Sequence, residues 1–281
     1  MGITLALVGG GVMGESILKR VIDLGVVQAK DMCVAEVSAS RREHLVSKYG
    51  VACFPTAKEA TERSDTIILA VKPQSIGEVF AELGGHLKPD QLVISIMAGV
   101  TLDVLSEGLG DRHVLGQGPH QAIVRVMPNT PAQIGQGMSV WTATPGVSDE
   151  QKSTAKAILA ALGDEIYVAA EHYLDMATAV SGSGPAYVFL VLEALTDAAV
   201  HIGLSRDIAE RLALQTIVGS ALFAKESKLH PAVLRNMVTS PGGTTTEALF
   251  EMEQGGLRGI FMQAVEAAYQ KSIALGKKES H

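Results

Sequence analysis

The first half of the chain alternates between short, continuously apolar runs and longer stretches whose apolar residues recur at helical spacing. Residues 3–8 form the first run, the mark of a strand buried on both faces of a parallel sheet. Residues 32–37, 66–71 and 92–96 repeat it, and shorter runs at 124–127, 139–142 and 165–168 predict three further strands. Between them, residues 15–24, 41–49, 75–83, 102–109 and 150–162 have helical periodicity, and Gly25, Gly50 and Gly163 are positioned to end three of these helices. Strand and helix alternating at this pace predict a doubly wound, Rossmann-type parallel sheet of the α/β class.

The pattern changes near Glu171. Amphipathic segments follow at 173–180, 186–202, 207–226, 231–238, 245–253 and 257–275, with Ser205 set to cap the third. The expected division is a dinucleotide-type domain over 1–168 and an all-helical domain over 169–281. Residues 186–200 are apolar nearly all round, interrupted by Glu193 and Asp197. A helix of that kind must be covered on most sides, and a domain of roughly 110 residues has little room to cover it. The expectation is therefore a homodimer packed through this helix. A higher oligomer of dimers stays open, as does an ordinary core helix of a monomer.

Composition narrows the partners. The formal net charge of −7 argues against a nucleic-acid binder, which needs a basic face. It does not exclude an anionic cofactor, which backbone amides can hold without net positive charge. Cys33 and Cys53 lack metal-type or redox-type spacing and read as reduced thiols; no histidine pair has metal spacing, so no metal site is expected. The N-terminus lacks the charged start and small-residue cleavage site of a signal peptide, and no apolar run approaches the ~18 residues that span a bilayer. The expectation is a cytoplasmic protein with no membrane partner.

The chemistry-bearing segments sit where strands end. Gly9-Gly10-Gly11-Val12-Met13-Gly14 follows the first predicted strand and opens the first predicted helix. In that context Gly9 permits a tight turn, Gly11 lets a pyrophosphate approach the backbone, and Gly14 allows helix and strand to touch. The phosphates of a dinucleotide would meet the positive end of the helix dipole. Glu36, 22 residues beyond Gly14, is spaced for a carboxylate on the adenosine ribose. Ser38, Ser40, Arg41 and Arg42 follow at once and are suited to a 2′-phosphate, so NADPH and NADH both stay open. Ala70-Val71-Lys72-Pro73 and Ala98-Gly99 end two further strands, where an open α/β sheet binds ligands, so Lys72 is expected to face the cofactor cleft. Asn129 and Thr130, held between Pro128 and Pro131, form a rigid loop of side-chain donors. In the second half, Ser240-Pro241-Gly242-Gly243-Thr244-Thr245 leads into a predicted helix, with Thr244 and Glu247 spaced as a capping box. Two glycines before a helix start leave bare amides for a small carboxylate, and Thr245 is free to meet the ligand. Ser181-Gly182-Ser183-Gly184 lacks the frame of a nucleophile turn and reads as a close backbone crossing.

Taken in order, Arg125-Val126-Met127-Pro128-Asn129-Thr130-Pro131, Ser181-Gly182-Ser183-Gly184-Pro185-Ala186-Tyr187 and Ser240-Pro241-Gly242-Gly243-Thr244-Thr245 resemble the pyrroline-5-carboxylate reductase family, and the resemblance runs from Gly9 to about Ala274. It implies reduction of the cyclic imine 1-pyrroline-5-carboxylate to L-proline by NADPH or NADH, at a site formed where helical domains dimerise. It also implies that Val238, Ser240, Gly242, Gly243, Thr244 and Thr245 surround the substrate, with Thr245 on the ring nitrogen and Lys72 as a second catalytic candidate. Three departures stand out: Glu36 where many relatives carry a neutral residue, an extra stretch at 116–121 expected as a surface loop, and Asn236-Met237 before the Ser-Pro-Gly-Gly turn. A β-hydroxyacid dehydrogenase is the rival enzyme, and a nucleotide-sensing protein the rival without catalysis. The dehydrogenase would need a lysine on the first long helix of the second domain, and residues 186–200 contain none.

Overall fold

The computed structural model describes residues 4–110 and 121–278. The stretch expected as a surface loop at 116–121 lies outside them, apart from Gln121, whose side-chain amide donates to the Gln91 carbonyl at 2.7 Å. The described chain forms two compact units, Met1–Ser183 with Ala268–His281, and Gly184–Ala267.

The first unit is built on an eight-stranded sheet in the order β3-β2-β1-β4-β5-β6-β7-β8. The strands are β1 (Leu5–Val8), β2 (Met32–Ala35), β3 (Ala52–Phe54), β4 (Thr66–Leu69), β5 (Leu92–Ser95), β6 (Ala122–Met127), β7 (Gly137–Ala143) and β8 (Gly163–Tyr167). Helices α1 (Val12–Asp23), α2 (Ala39–Tyr49), α3 (Ala57–Thr61), α4 (Ile76–Leu83), α5 (Leu102–Gly108) and α6 (Asp149–Ala160) connect them, and α7 (Tyr173–Ala177) follows β8. The order reverses at β1, which pairs with β2 on one side and β4 on the other. Residues alternate strictly across this strand. Leu5 and Leu7 enter a core with Ile17 and Leu18 of α1 and Ile158 of α6. Ala6 and Val8 enter a second core on the opposite face with Ala60 of α3, Val79 of α4 and Leu105 of α5. Two cores on two faces are why β1, β4 and β5 read as unbroken apolar runs.

Three differences from the sequence reading have physical causes. The sheet is not wholly parallel: β7 runs antiparallel to β6 and parallel to β8. Only residues 128–136 join β6 to β7, too few for a crossover, so the chain folds straight back. Strand β3 and helix α3 were not anticipated, being three and five residues long. Finally, Tyr173–His201 is, by length and composition alone, apolar enough to cross a membrane, where the sequence pattern suggested no such run. The pattern broke at Ser181-Gly182-Ser183-Gly184, but a π-helical turn over Thr178–Gly182 carries helical structure through it. A side chain at Gly182 would meet the Met127 methyl carbon at 2.6 Å, the close crossing expected of this segment.

The second unit contains α8 (Gly184–His201), α9 (Arg206–Ser227), α10 (Pro231–Met237), α11 (Thr244–Gln254) and the start of α12 (Leu257–Lys278). Ser205 takes the N-cap position of α9 without a side-chain hydrogen bond. Helices α8 and α9 pack on one another, yet only Thr196, Ala209 and Ala213 are buried among the described residues of this unit. Phe189 and Leu190 of α8, Leu212 and Phe223 of α9, and Met262 of α12 are all exposed, Leu190 at 66% and Met262 at 74%. So much uncovered apolar surface on a helical unit marks an interaction face.

Candidate functional site

The turn between β1 and α1 is shaped by contacts that only glycine permits. Gly9 adopts φ +103°, and a Cβ there would lie 2.7 Å from the Ala70 carbonyl oxygen at the end of β4. A Cβ on Gly14 would lie 2.1 Å from the Gly9 oxygen, so helix and strand touch backbone to backbone. Gly11 is different. Its backbone is extended at φ −67°, ψ −171°, and a Cβ there would meet nothing within 4 Å. Gly11 is the N-cap of α1, which has no side-chain cap; Val12 is exposed and Met13 packs against the core. Uncapped amides facing open space are suited to an anion.

Beside this turn, at the carboxyl ends of β1, β2 and β4, a cavity is lined by Gly9, Glu36, Val37, Val71, Glu78 and Glu82 among others. It lies where the strand order reverses, the position at which open α/β sheets bind nucleotides. Glu36 is fixed there: its carboxylate oxygens accept from the Gly10 and Ser38 amides, each at 2.9 Å. Ser38 caps α2, its hydroxyl accepting from the Arg41 amide at 3.4 Å. Arg41 donates through Nε to the Gly10 carbonyl at 2.7 Å and through Nη2 to the Glu15 carboxylate.

The sequence reading missed Glu15. Besides Arg41, it accepts from His44 Nε2 at 3.1 Å, Lys48 Nζ at 3.0 Å and the Tyr49 hydroxyl at 2.8 Å. Burial pushes the Glu15 carboxyl upward, but the hydrogen bonds from His44, Tyr49, Lys48 and Arg41 outweigh it and bring it down to about 2. The signal was present: Arg41, His44 and Lys48 recur at helical spacing as one basic stripe, a face that an acidic side chain can pair with. Glu78 and Glu82, one turn apart on α4, were missed as well.

The remaining candidates of this unit lie around the strand ends without lining the cavity. Lys72 is exposed ahead of a 3₁₀ turn that begins with Pro73. Ala98 is exposed, whereas Gly99 is buried at φ +81°, where a Cβ would come within 3.5 Å of Leu275 on α12. Asn129 is spent structurally: its amide donates to the Ser181 carbonyl at 3.0 Å and its oxygen accepts from the Met138 amide at 2.8 Å. Thr130 is exposed at the start of a 3₁₀ turn. Arg125 is buried and pairs with Glu171 at 2.7 Å, and the same carboxylate oxygen accepts from the Leu102 amide at 2.7 Å. Cys33 and Cys53 are unpaired, and burial pushes both thiols above their ordinary range. No group of three His, Cys, Asp or Glu side chains among the described residues is placed to hold a metal ion.

In the second unit, α11 opens at Thr244 with Gly243 as N-cap and without a side-chain cap. The capping box expected from Thr244 and Glu247 is therefore not formed. The helix begins one residue earlier than that motif requires, so Thr244 is already inside it. The turn closes on its own backbone: the Gly243 amide and the Thr246 hydroxyl both donate to the Ser240 carbonyl at 3.0 Å. Gly242 adopts φ +66°, and a Cβ at Gly243 would meet the Ser240 hydroxyl at 2.4 Å. Val238, Ser240 and Thr244 are exposed, and Thr245 is half-buried in the first turn. The arrangement is a bare helix start flanked by hydroxyls, suited to a small carboxylate.

Comparison with known proteins agrees with both halves. A family described as "Pyrroline-5-carboxylate reductase dimerisation" matches residues 171–275, and one described as "NADP oxidoreductase coenzyme F420-dependent" matches residues 4–99. The pyrroline-5-carboxylate reductase of a Synechocystis strain is 45% identical over 99% of this chain and 100% of its own length. The chain belongs to the pyrroline-5-carboxylate reductase family. A solved pyrroline-5-carboxylate reductase from Coxiella burnetii superposes with a TM-score of 0.90 at 36% identity, covering 98% of this chain and 99% of that one. The Plasmodium falciparum pyrroline carboxylate reductase, solved with NADP bound, superposes at 0.84 and 32% identity, covering 98% of each chain. Within this family the matched dimerisation segment takes in every helix of the second unit, whose apolar faces a single chain leaves uncovered.

Proposed function

We propose that the chain reduces 1-pyrroline-5-carboxylate to L-proline with NADH or NADPH, and that its two candidate sites divide the work. Membership of the family supports the reaction, and the apolar faces of α8 to α12, with the dimerisation match, support a dimer. In this reading residues 9–14 and Glu36, Ser38 and Arg41 bind the dinucleotide, with Ala70 to Pro73, Ala98, Gly99, Asn129 and Thr130 around it. When bound, that cofactor supplies a hydride to the imine carbon. The chain's own residues hold the substrate, exclude water and manage one proton. The Thr244 amide, with the Ser240 and Thr244 hydroxyls, takes the substrate carboxylate, the Gly242-Gly243 backbone leaves room for it, and Val238 packs beside them. Thr245 hydrogen-bonds the ring nitrogen, and Lys72 supplies positive charge. A protonated imine is already electrophilic, so orientation matters more than a strong acid–base pair.

The observation that carries the substrate half is the first turn of α11, opened by Gly243 without a side-chain cap and with Thr245 just inside. Thr245→Ala should lower kcat by roughly 10-fold to 100-fold while the dissociation constant for the dinucleotide stays within about 2-fold. Equal loss of turnover and of cofactor affinity would make Thr245 structural and refute the assignment. We also assign the protein to the cytoplasm and divide it at 168/169; its two unpaired cysteines support a reducing compartment.

A further inference from the structure

The cavity beside the glycine turn has a one-sided charge. Glu36 from the end of β2 and Glu78 and Glu82 from α4 line it, and no lysine or arginine does. Glu82 is engaged by the Ala57 amide. Glu36 is pinned by two backbone amides, an arrangement that fixes its position.

Two arginines follow closely in sequence, and a 2′-phosphate would recruit either if it were free. Both are committed. Arg42 donates through Nη1 to the carbonyls of Glu36 at 2.7 Å and Val37 at 2.9 Å. Arg41 is clamped between the Gly10 carbonyl and the Glu15 carboxylate. Its ion pair with Glu15 is sheltered, the two side chains retaining 29% and 17% of their exposure. Lys48, the other lysine or arginine on that face of α2, and the His44 ring also turn toward Glu15. The acid on α1 thus holds Arg41 and Lys48 of α2, which line a separate hollow with Gly11, Val12 and Glu15 and do not line the acidic cavity.

We propose that this chain discriminates against the 2′-phosphate of NADPH and favours NADH, and that Glu15 sets the preference as a positioning residue by holding Arg41 while the Glu36 carboxylate lines the cavity. This rests on the dinucleotide reading above and deepens it. It also settles the conflict between Glu36 and Arg41 that the sequence leaves open. The carboxylate faces the cavity, and the guanidinium is tied to a different carboxylate.

The test is direct titration of the purified, full-length protein with NADH and with NADPH, without substrate, read by calorimetry or nicotinamide fluorescence. The wild type should bind NADH about 10-fold or more tightly than NADPH. Glu15→Gln should release Arg41 and move that ratio toward NADPH by at least ~5-fold, chiefly through tighter NADPH binding. Adding Arg41→Ala to Glu15→Gln should abolish the gain. Glu36→Gln, made separately in case Glu15→Gln does not fold, should move the ratio in the same direction. Tighter binding of NADPH by the wild type would overturn the proposal. So would a Glu15→Gln protein that weakens both cofactors alike, which is what a purely structural role predicts. Failure of the wild type to bind either nucleotide would refute the dinucleotide reading itself, a distinct outcome.

Discussion

Gly11 and Gly14 belong to one motif, yet the structure gives them different duties, and two alanine substitutions separate them. At Gly14 the new methyl carbon would lie 2.1 Å from the Gly9 carbonyl oxygen, about 1 Å inside the shortest distance such a carbon tolerates. Both atoms belong to backbone, so the contact can be relieved only by prising α1 from β1. Overpacking of that kind costs about 1–3 kcal/mol. Alanine's better helix propensity returns about 1 kcal/mol, leaving a net loss of up to about 2 kcal/mol. At Gly11 the same methyl meets nothing within 4 Å, and the extended backbone suits any residue. Gly11→Ala should therefore fold with a stability within about 0.5–1 kcal/mol of wild type. Its methyl occupies the space through which a pyrophosphate must approach the α1 amides, so dinucleotide affinity should fall by about 10-fold to 100-fold, or ~1.4–2.8 kcal/mol. Thermal unfolding and cofactor titration of the two variants give four numbers. The expected pattern is Gly14→Ala losing stability and affinity together, and Gly11→Ala losing affinity alone. A Gly11→Ala protein that binds NADH and NADPH as tightly as wild type would refute the assignment of the turn as the phosphate site.

Two further outcomes are expected. Leu190 is 66% exposed near the middle of α8, so Leu190→Glu should break the dimer or leave aggregates; light scattering that still shows wild-type dimers of unchanged stability would contradict α8 as the pairing helix, and a wild-type mass of several dimers would indicate the higher assembly. Glu15, held down at about 2 against an ordinary value of 4.5, contributes stability that is present above pH 4.5 and lost as pH falls toward 2. Glu15→Gln should cost about 1–2 kcal/mol at pH 7, the full shift being discounted for solvent screening. In denaturant titrations that gap should narrow below pH 4.5, and a gap independent of pH would contradict the network.

Much of this architecture is legible in the chain because its physics is local. A strand such as β1, enclosed by cores on both faces, has to be apolar throughout, and a C-cap such as Gly50 acts within four residues. What escaped the reading depends on contacts made at a distance. Strand β3 owes its existence to pairing with β2 over Cys33 to Ala35 and is too short to show a period. The Thr244–Glu247 spacing satisfies a capping motif, but the backbone of Gly242 and Gly243 brings the helix start forward and removes it. The rivalry between Glu36 and Arg41 could not be judged from residues 36–42, because the carboxylate that holds Arg41 is Glu15, 26 positions earlier. The apolar surface of α8 was legible as demand for a partner, since no arrangement of so few helices could cover it.

The most direct test of the central claim is a spectrophotometric assay at the nicotinamide band. Purified protein supplied with 1-pyrroline-5-carboxylate and either NADH or NADPH should consume the reduced cofactor and release an equal amount of L-proline. No loss of absorbance with either cofactor, in protein shown to be folded and dimeric, would contradict it.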